Sequence, residues 1–207
     1  MTYLADVSTT VRFVEYSWIL SRIGRGSNRI LDIGCWDSLF PIMMASLGNE
    51  VTGVDMRDYP YEHPQFKFVQ GDIWDVYEDL GRFEIVTLVS VLEHVGLGNR
   101  VEWEADQALM KLISTQLLED YGVVYITVPC GMPKLVSREP GGPPWFRVYS
   151  RKSLDLLGMW SDMDITDVEY FAQKGERFEM VSEEYACKLQ TPEVASLSRA
   201  VACVEFT

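Results

Sequence analysis

The feature that most constrains this chain of 207 residues is a series of short apolar runs, each closing on a glycine or an acid. Arg29-Ile-Leu-Asp-Ile33 runs into Gly34, Glu50-Val-Thr-Gly-Val54 into Asp55, and Phe66-Lys-Phe-Val-Gln70 into Gly71-Asp72. Phe83 to Val91 and Gly122 to Val128 are nearly all apolar, as strands buried on both faces are. Between these runs, Ser38 to Leu47 (stopped by Gly48) and Val101 to Leu118 have helical length. Strands alternating with helices predict βαβ units, hence an α/β fold with a mostly parallel sheet covered by helices on both faces.

The flanks are less regular. Val7 to Ile23 places apolar residues at Val7, Val11, Val14, Trp18 and Ile19, which predicts an amphipathic helix ended by Gly24 and Gly26. From Pro129 to Pro144 five prolines and three glycines predict a long loop, of the kind that serves as a lid. A helix over Ser150 to Met159 follows, then strands near Ile165 to Phe171 and Ala200 to Phe206. These last two are expected to pair as a hairpin at one sheet edge.

Composition narrows the partners. A formal net charge of −13 repels polyphosphate, so neither nucleic acid nor an anionic membrane surface is expected as a partner. The first residues lack the basic region and continuous apolar stretch of a secretory signal. No apolar run is long enough to span a membrane. Cys35, Cys130, Cys187 and Cys203 form no CxxC pair, and His63 and His94 are the only histidines. Neither a metal centre nor a disulfide framework is expected, and free thiols point to the cytoplasm.

In an open α/β sheet, ligands bind beyond the carboxyl ends of the strands, so the residues just after each strand carry the functional information. Gly34 permits a tight turn and a close approach to a ligand. Asp55 follows Asp32 by roughly the twenty residues at which a nucleoside-binding fold places an acid for ribose hydroxyls. Asp72 can accept a hydrogen bond from an adenine amino group. Ser90-Val-Leu-Glu93-His94 follows the fourth strand.

The series ILDIGCWDS, VTGVD, QGDIWD and VSVLEHVGLG resembles motifs I to IV of the class I S-adenosylmethionine-dependent methyltransferases. The SVLEHVGLG and RVYS segments are similar to a bacterial and archaeal subgroup acting on small molecules or sugars. The resemblance implies a Rossmann-like fold with a seven-stranded sheet of order 3-2-1-4-5-7-6, strand seven antiparallel. It implies a single domain over 1–207, with an N-terminal helix cap (1–28), a cofactor-binding half (29–128) and an acceptor-side half (129–207). S-adenosyl-L-methionine is the implied cofactor. Asp32 and Gly34 would face its methionine part and Asp55 its ribose, with Cys35, Trp36 and Ser38 also binding the cofactor. Met56 would pack on adenine and Asp72 would meet its amino group with Ile73 beside it, Arg57 and Gly71 also belonging to the cofactor site. Ser90 and Val91 would lie near the sulfonium. Where the family carries GxGxG, this chain reads Gly34-Cys-Trp36-Asp-Ser38, so one glycine remains and a bulky indole replaces another.

The implied acceptor is a small molecule methylated on O or N, with His94 and Glu93 as catalytic candidates. His94 suits a general base, because imidazole titrates near neutrality; alternatively the pair only orders the following loop. The ExxEH metal motif of some RNA methyltransferases is incomplete here, because Ser90 stands at its first acid. Trp145, Phe146, Arg147 and Tyr149 form either an acceptor pocket with one cation or a dock for the loop. Tyr16 and Trp18 can cover the cofactor or pack in the core, and Trp160 and Phe171 are expected in the core. Tyr170-Phe-Ala-Gln-Lys174 fits the YxxxK pattern of short-chain dehydrogenases, but that pair works from a helix, and a strand is predicted here. The loss of motif I glycines also fits a module that binds the cofactor without turnover.

Overall fold

The computed structural model describes residues 11–98, 100–193, 195 and 198–207. In chain order its elements are α1 (Val11–Ile23), β1 (Arg29–Ile33), α2 (Phe40–Ser46), β2 (Glu50–Asp55), β3 (Phe66–Gln70), α3 (Ile73–Val76) and β4 (Phe83–Val89). They continue with α4 (Ala105–Leu112), β5 (Leu118–Pro129), β6 (Lys134–Ser137), β7 (Pro144–Val148), α5 (Arg151–Ser161), β8 (Ile165–Lys174), β9 (Arg177–Val181), α6 (Glu183–Lys188) and β10 (Ala200–Phe206). The expected stretch of helix before Val11 lies outside the described residues.

One sheet runs β3-β2-β1-β4-β5-β10-β8-β9. β3, β2, β1, β4 and β5 are parallel, and β10 is antiparallel to both β5 and β8. This is the expected Rossmann-like order with one strand added, because β9 folds back antiparallel on β8 as an eighth strand at the edge. β8 and β10 do pair, but not as an edge hairpin. β10 sits inside the sheet because six of its seven residues, from Ala200 to Phe206, are buried, which suits a strand with neighbours on both sides.

Alternation along the strands feeds two core layers. Ile30, Ile85, Tyr125 and Cys203 face α1 and α2 and meet Trp18, Ile19, Phe40 and Met44. Leu31, Val86, Val124 and Val204 face the other way, toward Leu109 and Met110 of α4 and Leu154 and Leu157 of α5. Arg22 pins the end of α1 to the sheet. It lies 3.7 Å over the Trp18 ring and pairs with Asp167 and Glu169 on β8.

Three expectations change. The predicted helix to Leu118 is regular only to Leu112, then opens into a wider turn over Ile113–Leu117. Ser114 and Thr115 donate their hydroxyls back to the Lys111 carbonyl, a local bond that competes with the helix ladder. The proline-rich loop holds a two-stranded ribbon, β6 with β7. Its prolines leave the ribbon intact because Pro140 and Pro143 fall in the turn and Pro144 opens a strand. Trp160 is half-exposed on α5 rather than in the core. Tyr170 and Lys174 lie on strand β8, where the dehydrogenase geometry cannot form. Among the described residues, no helix is long and apolar enough to cross a membrane.

Leu88 is fully buried on the central strand β4. Leu88→Ala is expected to cost about 2–5 kcal/mol, read as a lowered denaturant midpoint with an unchanged slope.

Candidate functional site

The register of the parallel strands brings the ends of β1 to β4 to one edge of the sheet, pairing Asp32 with Gly53 and with Thr87. Asp32 is buried and accepts a 2.7 Å hydrogen bond from the Thr87 hydroxyl. Burial, only partly offset by this bond, pushes its carboxyl up to about 7. Gly34 follows with φ +77°, and a methyl group there would overlap the Val91 side chain. The loops after β1 and β4 therefore touch, and only glycine fits the contact. Cys35 turns inward against Gly53, which leaves its backbone for any ligand.

Asp55 ties three loops together. One carboxylate oxygen accepts the Trp36 N–H at 3.1 Å, and the other accepts the Arg57 N–H at 2.9 Å. Its carbonyl accepts the Gly71 N–H at 2.9 Å. The Arg57 guanidinium stacks 3.6 Å over the Trp36 ring, so the indole stands beside the acid at the surface rather than within the core. Met56 is exposed next to them, and Ile73 is buried. Asp72 caps α3 by accepting the Trp74 N–H at 3.2 Å. The Ser38 hydroxyl bonds Tyr16 at 2.8 Å, and Tyr16 stacks on Phe40. Trp18 is in the core.

Past β4, Ser90 holds a left-handed backbone with φ 52°, which is uncommon for a side-chain-bearing residue and clusters at functional sites. Its N–H donates to the Thr127 hydroxyl at 3.0 Å, and its own hydroxyl donates to Glu15 at 2.6 Å. Glu15, on α1 and wholly buried, also accepts from the Thr127 hydroxyl at 2.9 Å and from Arg12 at 2.9 Å. The sequence reading missed Glu15. Its signal was an acid among Val11, Trp18 and Ile19, on the apolar side of the predicted helix.

Glu93 is buried, and its Oε2 has no hydrogen-bond partner. Burial pushes its carboxyl up to about 8, reinforced by nearby Glu15 and opposed by Arg12. His94 Nδ1 donates to the Trp145 carbonyl at 2.6 Å, so Nε2 carries the lone pair, 3.9 Å from Glu93 Oε1. Burial lowers the imidazole's pKa, which keeps it neutral. His94 therefore both anchors β7 and keeps a basic nitrogen free.

The ribbon's aromatic segment divides. Arg147 donates to the carbonyls of Val95 and Glu102 and lies 3.8 Å from Asp106, while the Tyr149 hydroxyl donates to Asp106 at 2.8 Å. These two dock the ribbon on the body of the protein, so Arg147 is not a free acceptor-binding cation. Trp145 and Phe146 instead line a cavity of about 380 Å³. Its apolar wall includes Val11, Pro129, Phe178 and Val201. Its polar side is Arg12, Glu15, Ser90, Glu93 and His94. Among the described residues, no group of three or more His, Cys, Asp or Glu side chains is placed to hold a metal.

This sheet order, with its strand-end loops and adjoining cavity, coincides with a family match. The model of a methyltransferase domain matches residues 11–189. The chain belongs to the methyltransferase domain family. A relative of this methyltransferase is the ubiquinone biosynthesis O-methyltransferase of Pseudomonas aeruginosa, 26% identical over 169 residues that span 72% of this chain and 68% of the relative. Solved structures share the fold. One is the Burkholderia thailandensis 1,6-didemethyltoxoflavin-N1-methyltransferase with bound 1,6-didemethyltoxoflavin and S-adenosylhomocysteine. It is 15% identical with a TM-score of 0.68, covering 99% of this chain and 80% of its own. Another is an S-adenosylmethionine-dependent methyltransferase from Methanosarcina mazei, 13% identical with a TM-score of 0.62, covering 91% and 95%.

The two raised carboxyls set a pH dependence. A carboxyl with a raised folded-state pKa contributes full stability below its unfolded value and loses it as pH rises through the folded one. For Glu93 this window runs from about 4.5 to about 8 and for Asp32 from about 3.8 to about 7. The unliganded methyltransferase is therefore expected to lose stability as pH rises from 5 to 8, by at most about 1.4 kcal/mol per pH unit per group. Glu93→Gln should flatten that slope in a series of thermal melts.

Proposed function

We propose that this methyltransferase moves a methyl group from S-adenosylmethionine to an oxygen or nitrogen of a small molecule held in the cavity. One observation carries the reading. The segment from Ser90 to His94 walls the cavity on one side, and through Val91 it packs on Gly34 of the loop that follows β1. A donor over the strand ends and an acceptor in the cavity would thus share one wall.

The residues fit the donor. Gly34 leaves a cradle beside Val91 that a side chain would fill. Asp55 is held in place by two N–H donors before any ligand arrives, so little ordering remains to be done on binding. In this reading Asp55 takes the ribose hydroxyls, with Trp36, Met56 and Arg57 around the base. Asp72, with Gly71 and Ile73, takes the adenine amino group. Asp32, Gly34, the Cys35 backbone and Ser38 hold the methionine part, and Ser90 and Val91 face the reacting end. S-adenosylmethionine supplies a methyl group already activated on a sulfonium. The protein's task is then alignment and removal of one proton from the acceptor. His94 Nε2 and Glu93 are placed for that removal. In this reading residues 1–207 act as one cytoplasmic unit, with 1–28 as the cap, 29–128 for the cofactor and 129–207 for the acceptor.

Thermal melts test the cofactor half directly. S-adenosylhomocysteine at about a hundred times its dissociation constant should stabilise the protein by roughly 2.7 kcal/mol. NADH and NADPH should not. Asp55→Ala should abolish the shift while the far-UV circular dichroism stays native. Cofactor binding without transfer to any acceptor in a broad panel would favour the module without turnover.

A further inference from the structure

Two buried side-chain polar atoms among the described residues lack a hydrogen-bond partner, Trp18 Nε1 and Glu93 Oε2. The second belongs to a residue that lines the cavity. A buried acceptor left empty is unfavourable, and native structures rarely keep one without a use. The other charged groups around it are engaged. Glu15 accepts from Ser90, Thr127 and Arg12, and Arg12 also donates to the Val89 carbonyl. His94 gives Nδ1 to Trp145. Glu93, with one unpartnered buried oxygen, thus stands in the wall of a mostly apolar chamber bounded by Trp145, Phe146 and Phe178.

We infer that the acceptor is an amine that arrives as an ammonium ion on an apolar, aromatic-sized body, and that Glu93 holds this nitrogen and takes its proton. The inference rests on the methyl-transfer reading above. Charge favours nitrogen over an acidic oxygen. A phenolate or carboxylate would find no free cation here, because Arg12 is already bound to Glu15. An ammonium ion fills the vacancy at Glu93 with a charge-assisted hydrogen bond. The net charge of −13 also draws cations toward the molecule.

An ammonium nitrogen has no lone pair, so it must lose a proton before it can be methylated. Glu93, ionised once it pairs with the ammonium, lies against that nitrogen and accepts its proton. The N–H bond breaks and the proton passes to Glu93. The freed pair on nitrogen then bonds the methyl carbon as the carbon–sulfur bond breaks and its electrons stay on sulfur. The product is an N-methylammonium ion, and Glu93 carries the removed proton. His94 Nε2 lies 3.9 Å from Glu93 Oε1.

Calorimetric titration of the full chain tests this, with 2-phenylethylamine, 4-ethylphenol and 3-phenylpropanoate as probes. Each is run with and without S-adenosylhomocysteine, in buffers of different ionisation enthalpy. The amine should bind at least about tenfold more tightly than the other two. Near pH 7 its binding should release about one proton, because the raised Glu93 carboxyl must ionise to pair with the ammonium. Glu93→Gln should weaken the amine at least about tenfold and abolish proton release, with 4-ethylphenol unchanged. Glu93→Asp should retain the proton release. No detectable amine binding, an amine no tighter than the phenol, or proton release that survives Glu93→Gln would each overturn the inference. The S-adenosylhomocysteine titration separates the two claims. If that ligand binds and amine preference is absent, only the amine inference fails; if it does not bind, the methyl-transfer reading fails.

Discussion

A carboxylate taken out of water is costly unless its lone pairs are occupied. Glu15 meets that condition with partners from three elements: Arg12 of α1, Ser90 after β4 and Thr127 of β5. This cluster decides where α1 sits. If α1 moved away, it would strip the carboxylate of the Ser90 and Thr127 hydroxyls. The same bonds hold Ser90 in its left-handed conformation, which sets the direction of the Glu93–His94 segment and one wall of the cavity. The cap, the strand ends and the chamber are thus fixed by one buried acid.

Four of the site's acids differ through their surroundings. Asp55 meets two backbone N–H groups, which hold its carboxylate in place. Asp32 has a single hydroxyl donor and is pushed up by burial. Glu15 is saturated. Glu93 keeps one oxygen empty. A protein whose acids were all saturated would have a rigid site with nothing left for a ligand. Here the satisfied groups build the frame, and the unsatisfied one belongs to a residue in the chamber's wall.

Much of the fold was legible because its signals are local. Apolar runs ending on Gly34, Asp55 and Gly71-Asp72 require only strand periodicity and turn chemistry to interpret, and the strands came out in the expected order. The failures came where distant residues decide. β9, the strand added at the edge, depends on a pairing with β8 that no local sequence signal announces. The ribbon of β6 and β7 was hidden by prolines that fall in its turn and at a strand start. Glu15 was passed over because an acid on a helix is ordinarily solvated, and nothing nearby in sequence announces Ser90 and Thr127 as its partners.

The sequence by itself determined the alternation of strands and helices, the identity of the strand-end residues and the resemblance that named the donor. These follow from interactions within a few residues, where backbone geometry and side-chain type suffice. Only the tertiary structure decided that Arg147 is spent on carbonyls and Asp106, that His94 is tethered to Trp145, and that Glu93 keeps an unpartnered buried oxygen. Each of these turns on which distant partner reaches a polar group first. That competition is settled by packing in three dimensions, and the linear order of residues does not contain it.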